Sequence, residues 1–374
     1  MSSAVPEGAY VAALAGFRLM TLHRLAALLR HRAPSEAWRV VLGEHPAEGV
    51  VARVLADREV RSVWRSEAVR RSPVDEWERC CALDISVLWP GHPDFPPLLL
   101  DDPLPPAVLF TRGDLMLLSG RRVAIVGTRN ATAAGRQFAR SLAGDLAASG
   151  VHVVSGLARG IDGAAHSGAV AADGTGRPVA VVGSGPDVVY PREHADLWHA
   201  VVNCGLLLSE APPGAPPEAW RFPLRNRIVA ALAEVVVVVE SRETGGSLIT
   251  ASEALDRGVP LMAVPGRPGS RASAGANQLL RDGAAPVLDA GDVLCALQLD
   301  HTRRATLAAD LRPRPRRDDL AAYRVLAAEP RTIDGVALGT GSSLVDAAMC
   351  LARLEAAGWV AQTDGWFECV GSPL

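Results

Sequence analysis

The 374-residue chain has no lysine; all 38 of its basic residues are arginine. That excludes Schiff-base catalysis and a Walker A phosphate loop, both of which need a lysine amine. Arginine can still hold phosphate bidentately, but it is a poor proton shuttle. The cysteines Cys80, Cys81, Cys204, Cys295, Cys350 and Cys369 form no C-x-x-C pair. Zinc ribbons and thioredoxin-type sites are thereby disfavoured, and the cysteines read as small buried hydrophobes in a reducing compartment. No apolar run reaches the roughly 18 residues of a membrane span. The start, MSSAVPEGAY, lacks a basic region followed by an apolar one, so no signal peptide and no membrane partner are expected. The expected location is cytoplasmic.

What is present is a globular composition, 49% apolar and 21% charged, long enough for two or three domains. The net charge of −3 is spread evenly. Residues 1–119 carry 13 arginines against 15 acids, 120–299 carry 16 against 16, and 300–374 carry 9 against 10. Bulk charge therefore gives no argument for a nucleic-acid partner; any positive potential must come from where a few arginines sit.

Five segments are expected. Residues 1–89 read as a small helical domain, with helical spacing over 9–29, 35–43, 47–57 and 73–82. Residues 90–119 form a lead-in whose run PGHPDFPPLLLDDPLPP is too proline-dense for a helix and reads as extended. In 120–299, short apolar strands near 123–126, 151–155, 179–182, 206–209, 235–240 and 261–264 alternate with helices over 134–148, 162–172, 193–203, 225–233 and 247–257. This pattern predicts an α/β fold, a doubly wound, mostly parallel Rossmann-like sheet covered on both faces. Residues 300–317 read as a solvated Arg/Pro linker. Residues 318–374, with helices over 318–328 and 343–357 and a hairpin turning at Asp364-Gly365, read as winged-helix-like.

Ligands of doubly wound sheets bind beyond the carboxyl ends of the strands. The first strand is followed by Gly127, Thr128 and Arg129, ahead of a helix N-terminus able to receive an anion. The spacing is not G-x-G-x-x-G, so no dinucleotide cofactor is expected. Ser155, Gly156 and Arg159 follow the second strand, with Asp162 and His166 on one helix face as capping and packing groups. Gly183-Ser184-Gly185 and Tyr190-Pro191 follow the third. Further on come Phe222, Arg225, Asn226 and Arg227, where arginine suits phosphate, phenylalanine suits base stacking, and asparagine can read a base edge or pin the loop. Gly245, Gly246 and Ser247 form another anion nest. Four such loops predict a cationic groove along one sheet edge. No nucleophile–base pair, metal cluster or paired carboxylates accompany them, so no catalytic residue, metal or cofactor is assigned.

The stretches VAIVGTRNAT, VVSGLARGIDGAAHSGAV, AVVGSGPDVVYP, FPLRNRIVAALAEVVVVVES, GGSLITASEALDRG and MAVPGRPG resemble the DNA-processing protein A (DprA/Smf) family, in the family's order across about 121–290. The resemblance implies a non-enzymatic protein that binds single-stranded DNA, forms a homodimer and loads the RecA recombinase in natural transformation. It implies Arg129 on phosphate, Phe222 and Asn226 against bases, and Arg225 or Arg227 assisting. Some relatives carry a lysine shortly before the phenylalanine. Here Ala219 precedes it and Arg221 is the expected substitute. The candidate recognition helix 343–358 carries Arg353 but also Asp346 and Glu355, which favours protein contact or regulation over DNA reading. The alternatives are a phosphoribohydrolase-like nucleotide enzyme and a nucleotide sensor on a related fold.

Overall fold

A computed structural model describes residues 5–298, 315–316, 319–328, 330–363 and 365–369, which fall into two compact units divided near residue 299. The Arg/Pro linker, apart from Pro315 and Arg316, and the turn residue Asp364 lie outside the described residues.

The first unit opens with six helices: α1 Glu7–Ala15, α2 Leu22–Leu29, α3 Pro34–Leu42, α4 Gly49–Ala56, α5 Arg58–Arg70 and α6 Pro73–Ala82. The apolar spacing over 9–29 predicts one helix. The structure breaks it at Gly16, Leu19 takes a left-handed φ of 60°, and Thr21 caps α2 by accepting from the Arg24 N–H at 3.2 Å. Helix α5 is absent from the expectation because charged residues crowd its sequence. Its buried apolar stripe is Val60, Trp64 and Ala68, four residues apart, with Glu67 buried beside it, and Asp57 caps the Glu59 N–H at 2.9 Å.

The proline-rich lead-in is not merely extended. The single turn α7 Pro97–Leu100 and strand β2 Leu109–Gly113 lie along it, and strand β1 Ser86–Leu88 precedes it, in the segment expected to be helical. Val87, Val108 and Phe110 pack into the helical core with Trp38 and Trp64. Arg257 clamps the same segment by a bidentate pair to Asp102 (2.7 and 3.0 Å), with both side chains nearly inaccessible.

The remaining elements alternate as expected: β3 Arg122–Val126, α8 Ala133–Ala148, β4 His152–Ser155, α9 Ile161–Ala171, β5 Pro178–Val182, α10 Ala195–Cys204, β6 Leu206–Ser209, α11 Arg221–Ala231, β7 Val235–Val238, α12 Gly246–Asp256, β8 Leu261–Ala263, α13 Ala274–Arg281, β9 Ala285–Pro286 and α14 Ala290–Ala296. The sheet has nine strands in the order β1-β2-β6-β5-β4-β3-β7-β8-β9. Strands β3 to β9 run parallel; β2 pairs antiparallel with β6 and with β1. From β3 the chain winds outward to β6, then returns to the other flank of β3 as β7. The topological switch point therefore lies between β3 and β7, where ligand crevices form in such sheets. Helix α11 begins four residues before the expected start, because a proline, here Pro223, is tolerated in a helix's first turn.

The second unit comprises α15 Asp319–Ala328, β10 Arg331–Thr332, α16 Ile333–Thr340, α17 Leu344–Ala356, β11 Val360–Thr363 and β12 Trp366–Cys369. Helices α16 and α17 meet at 109°, and the sheet order is β10-β12-β11. Two helices at a steep angle thus precede the β11–β12 pair of a small antiparallel sheet. Arg353 on α17 is bound to Asp319 at 2.5 Å. Leu344, Val345 and Met349 are exposed at 53–72%, so an apolar face stands where a DNA-reading helix would carry donors.

One expectation fails outright: Cys81, Cys204 and Cys295 are exposed, and only Cys80 is buried. No single described helix is long and apolar enough to cross a membrane.

Arg257 also pairs with Glu253 at 2.5 Å, so losing Asp102 removes two charge-assisted hydrogen bonds without stranding the guanidinium. Asp102→Ala is expected to lower unfolding free energy by about 2 kcal/mol, measured by urea denaturation. An unchanged midpoint would show that Arg257 is held without Asp102.

A cationic groove at the switch point

The loops after β3, β4 and β7 meet α11 around a groove of about 570 Å³. Its lining includes Gly127, Thr128, Arg129, Gly156, Phe222, Asn226, Gly245, Gly246 and Ser247, so the edge expected from sequence exists. Three arginines, Arg129, Arg225 and Arg242, line it against one acid, Asp162.

The first loop is held from behind by Glu240, at the end of the VVVVVE run. The Glu240 carboxylate accepts from the Thr132 N–H at 2.9 Å and the Thr132 hydroxyl at 2.6 Å. Thr132 in turn caps α8 by accepting from the Gly135 N–H at 2.9 Å. The Thr128 N–H donates to the Glu240 carbonyl at 2.7 Å. A Cβ at Gly135 would fall on the carboxylate, and one at Gly127 would lie 2.8 Å from the Ile161 Cβ. These glycines answer to packing beneath the loop, not to a ligand above it. Gly246 differs: a Cβ there would meet nothing within 4 Å, so the missing side chain leaves bare backbone at the N-terminus of α12.

Several expected contact residues, whether they line the groove or lie beneath it, have their polar groups committed to internal partners. Arg225 is buried; its guanidinium donates to the Gly156 carbonyl at 2.7 Å and to the Val181 carbonyl. Burial pushes its pKa down to about 10, with Asp162 opposing the shift. Arg227 is 3% exposed and paired with Glu210 at 2.6 Å, away from the groove lining. Burial pushes Glu210 up to about 7 against the pull of Arg227. The Ser155 hydroxyl donates to the Ile125 carbonyl at 2.6 Å, and that of Ser247 to Ser241 Oγ at 2.9 Å. Asn226 donates to the Gly246 carbonyl at 3.3 Å, which pins α11 to α12. The physical reason is common to all: carbonyls and hydroxyls at strand ends must be satisfied internally before a surface can form. Asp162 does not cap α9, whose N-cap is Gly160; it holds the preceding loop by accepting from the Gly156 N–H at 3.2 Å. Burial raises Asp162, while Arg225 and the Gly156 and Ala158 N–H groups oppose it. His166 is fully buried with Nε2 3.3 Å from the Val179 carbonyl.

The side chains that face solvent are fewer. The Arg129 guanidinium lies 4.9 Å from the Phe222 ring centroid. Tyr190 stands 5.4 Å from Phe222 at 34° and is 37% exposed. Arg159 is exposed beside them, 3.5 Å from Glu193. Arg242 is exposed on the far wall. Tyr190 and Arg242 were absent from the expected set. Their only sequence signal is their place just after strands β5 and β7.

A wide arginine-lined groove with an aromatic pair, at the switch point of a doubly wound sheet, defines a Rossmann-like protein with a groove of cationic and aromatic chemistry. A family model described as DNA recombination-mediator protein A matches residues 86–298. The chain is 36% identical to Protein Smf of Escherichia coli over 73% of this chain and 74% of that one. It is 44% identical to DNA processing protein DprA of Bacillus subtilis over 50% of this chain, spanning 63% of that relative's length. DprA of Streptococcus pneumoniae superposes with a TM-score of 0.64 at 29% identity, over 78% of this chain and 98% of that one. DprA of Helicobacter pylori, whose structure concerns its single-stranded DNA binding mode, gives 0.51 at 31% identity over 58% and 96%. The chain belongs to the DNA recombination-mediator protein A family, also called DprA or Smf.

Burial holds His166 down to about 3. The unfolded chain, with an ordinary histidine near 6.5, binds a proton that the folded chain refuses. This contribution to stability is full above pH 6.5 and is lost as pH falls toward 3. Urea midpoints measured across that window are expected to fall with a slope that is shallower by about one proton (about 1.4 kcal/mol per pH unit) in His166→Gln. Parallel slopes would mean that His166 titrates in the fold.

Proposed function

We propose that this protein binds single-stranded DNA in the switch-point groove and hands it to the RecA recombinase, acting as a non-enzymatic cytoplasmic homodimer in natural transformation. The observation that carries the reading is the cluster of Arg129, Phe222 and Tyr190 beside the open α12 N-terminus: guanidinium and backbone N–H groups for phosphate, and ring faces for bases. Bases without a partner strand can be splayed onto such rings, whereas a duplex keeps its bases stacked inside. Family membership and the Helicobacter relative's described binding mode support it. Gly127, Thr128, Arg129, Gly156, Phe222, Gly245 and Gly246 form the contact surface. Arg159 extends it, Asn226 pins it, and Ser155, Arg225, Arg227 and Ser247 support it from within or behind.

Fluorescence anisotropy with labelled oligo-dT tests the reading. Affinity is expected to fall steeply with salt, because each phosphate contact releases counterions. Arg129→Ala is expected to weaken binding for every sequence and flatten the salt slope by about one unit. Phe222→Ala and Tyr190→Ala are each expected to cost about 1–3 kcal/mol. Wild-type affinity in all three variants would move the DNA elsewhere, and release of free base from a nucleotide would favour an enzyme. Gel filtration with and without the oligonucleotide tests the dimer.

A further inference from the structure

A second cleft, of about 950 Å³, opens between helices α2 and α4 and the segments around Trp89 and Pro103–Ala107. Helix α11 stands between it and the groove: Asn226 lines the groove, and the next residue, Arg227, lines this cleft. The two walls differ in chemistry. One, from α2 and α4, mixes apolar residues such as Leu22, Ala26, Leu29 and Val50 with a rim of Arg30, His31 and Arg32, and Glu48 is the sole acid among the lining residues. His31 takes a left-handed φ of 58°, so the chain turns sharply and sets Arg30, His31 and Arg32 around one corner. Among the described residues neither Arg30 nor Arg32 has an ion-pair partner. At the floor, Arg227 is paired to Glu210 but leaves Nε without an acceptor. The opposite wall is apolar, made by Trp89, Pro90, Pro103, Leu104, Pro105 and Pro106.

A nucleic acid fits such a cleft badly. It would set a charge at every nucleotide against prolines that have no N–H to offer. An extended peptide fits both walls. Its carboxylates match the arginine rim, its apolar side chains match Trp89 and Leu104, and its N–H groups can donate to the proline carbonyls. We propose that this cleft docks an acidic peptide segment of a partner protein, with its carboxylates on Arg30 and Arg32 and an apolar anchor against Trp89 and Leu104. The site is separate from the groove and does not depend on what the groove binds.

Anisotropy of the full-length chain with a fluorescein-labelled peptide of Asp, Leu and Phe tests this, with a peptide carrying Lys in place of Asp as control. The acidic peptide is expected to bind and the basic one not. The double variant R30E/R32E, at the open rim, is expected to bind the acidic peptide at least roughly tenfold more weakly while keeping its oligo-dT affinity. Trp89→Ala is expected to weaken the peptide but not oligo-dT, and Phe222→Ala to do the reverse. Absence of peptide binding to the wild-type chain, or binding indifferent to R30E/R32E, overturns the proposal. So does loss of oligo-dT rather than peptide affinity in R30E/R32E, which would assign the cleft to nucleic acid.

Discussion

The groove rests on a buried guanidinium. The ends of β3 and β7 are satisfied by their neighbours, the Val126 carbonyl accepting from the Val239 N–H and the Val238 carbonyl from the Val264 N–H, both at 3.0 Å; the ends of β4 and β5 turn to a side chain instead. Arg225, reaching up from α11, donates to the ends of both β4 and β5, at Gly156 and Val181. Its burial is tolerable because Asp162 supplies the opposing charge and because Gly156 has no side chain; a Cβ there would collide with the guanidinium. An apolar residue could fill that volume but could not tie two strand ends to one helix. With α11 so fixed, Phe222 and Asn226 have only one place to stand.

The same economy explains how a slightly acidic molecule presents a cationic edge. Its acids near the sheet are committed inward. Glu240 holds the first loop, Glu210 neutralises Arg227, Asp102 holds Arg257, and Asp162 faces Arg225. The arginines left at the rim, Arg129 and Arg242, face solvent. Long-range steering by net charge is therefore weak, and affinity depends on short-range contacts that salt screens within about 8–10 Å.

Helix α11 has two occupied sides. One carries the aromatic and amide groups of the groove, and the other carries Arg227, at the floor of the second cleft. Both sites lie against the same eleven-residue helix, through different side chains, Asn226 in the groove and Arg227 in the cleft. The C-terminal unit differs: its α17 shows leucine, valine and methionine to solvent and ties up its arginine. That surface suits protein contact better than the charged backbone of DNA.

The sequence by itself determined the sheet. Runs such as Val235–Val238, apolar at every position, can only be strands buried on both faces, and their alternation with helical spacing fixed a parallel, doubly wound order. It also determined where a ligand must go, since the glycine- and arginine-rich turns all follow strands. It did not determine the antiparallel β1 and β2, short strands on either side of a proline-rich run, nor α5, whose three buried apolar positions are lost among charges. Above all, residue type could not separate Arg129 from Arg225. Both are arginines in loop-adjacent motifs, yet one faces solvent over a phenylalanine and the other is spent on buried carbonyls. Only the tertiary structure decides that, because which side of a surface a charge occupies depends on the acceptors that other strands bring beneath it.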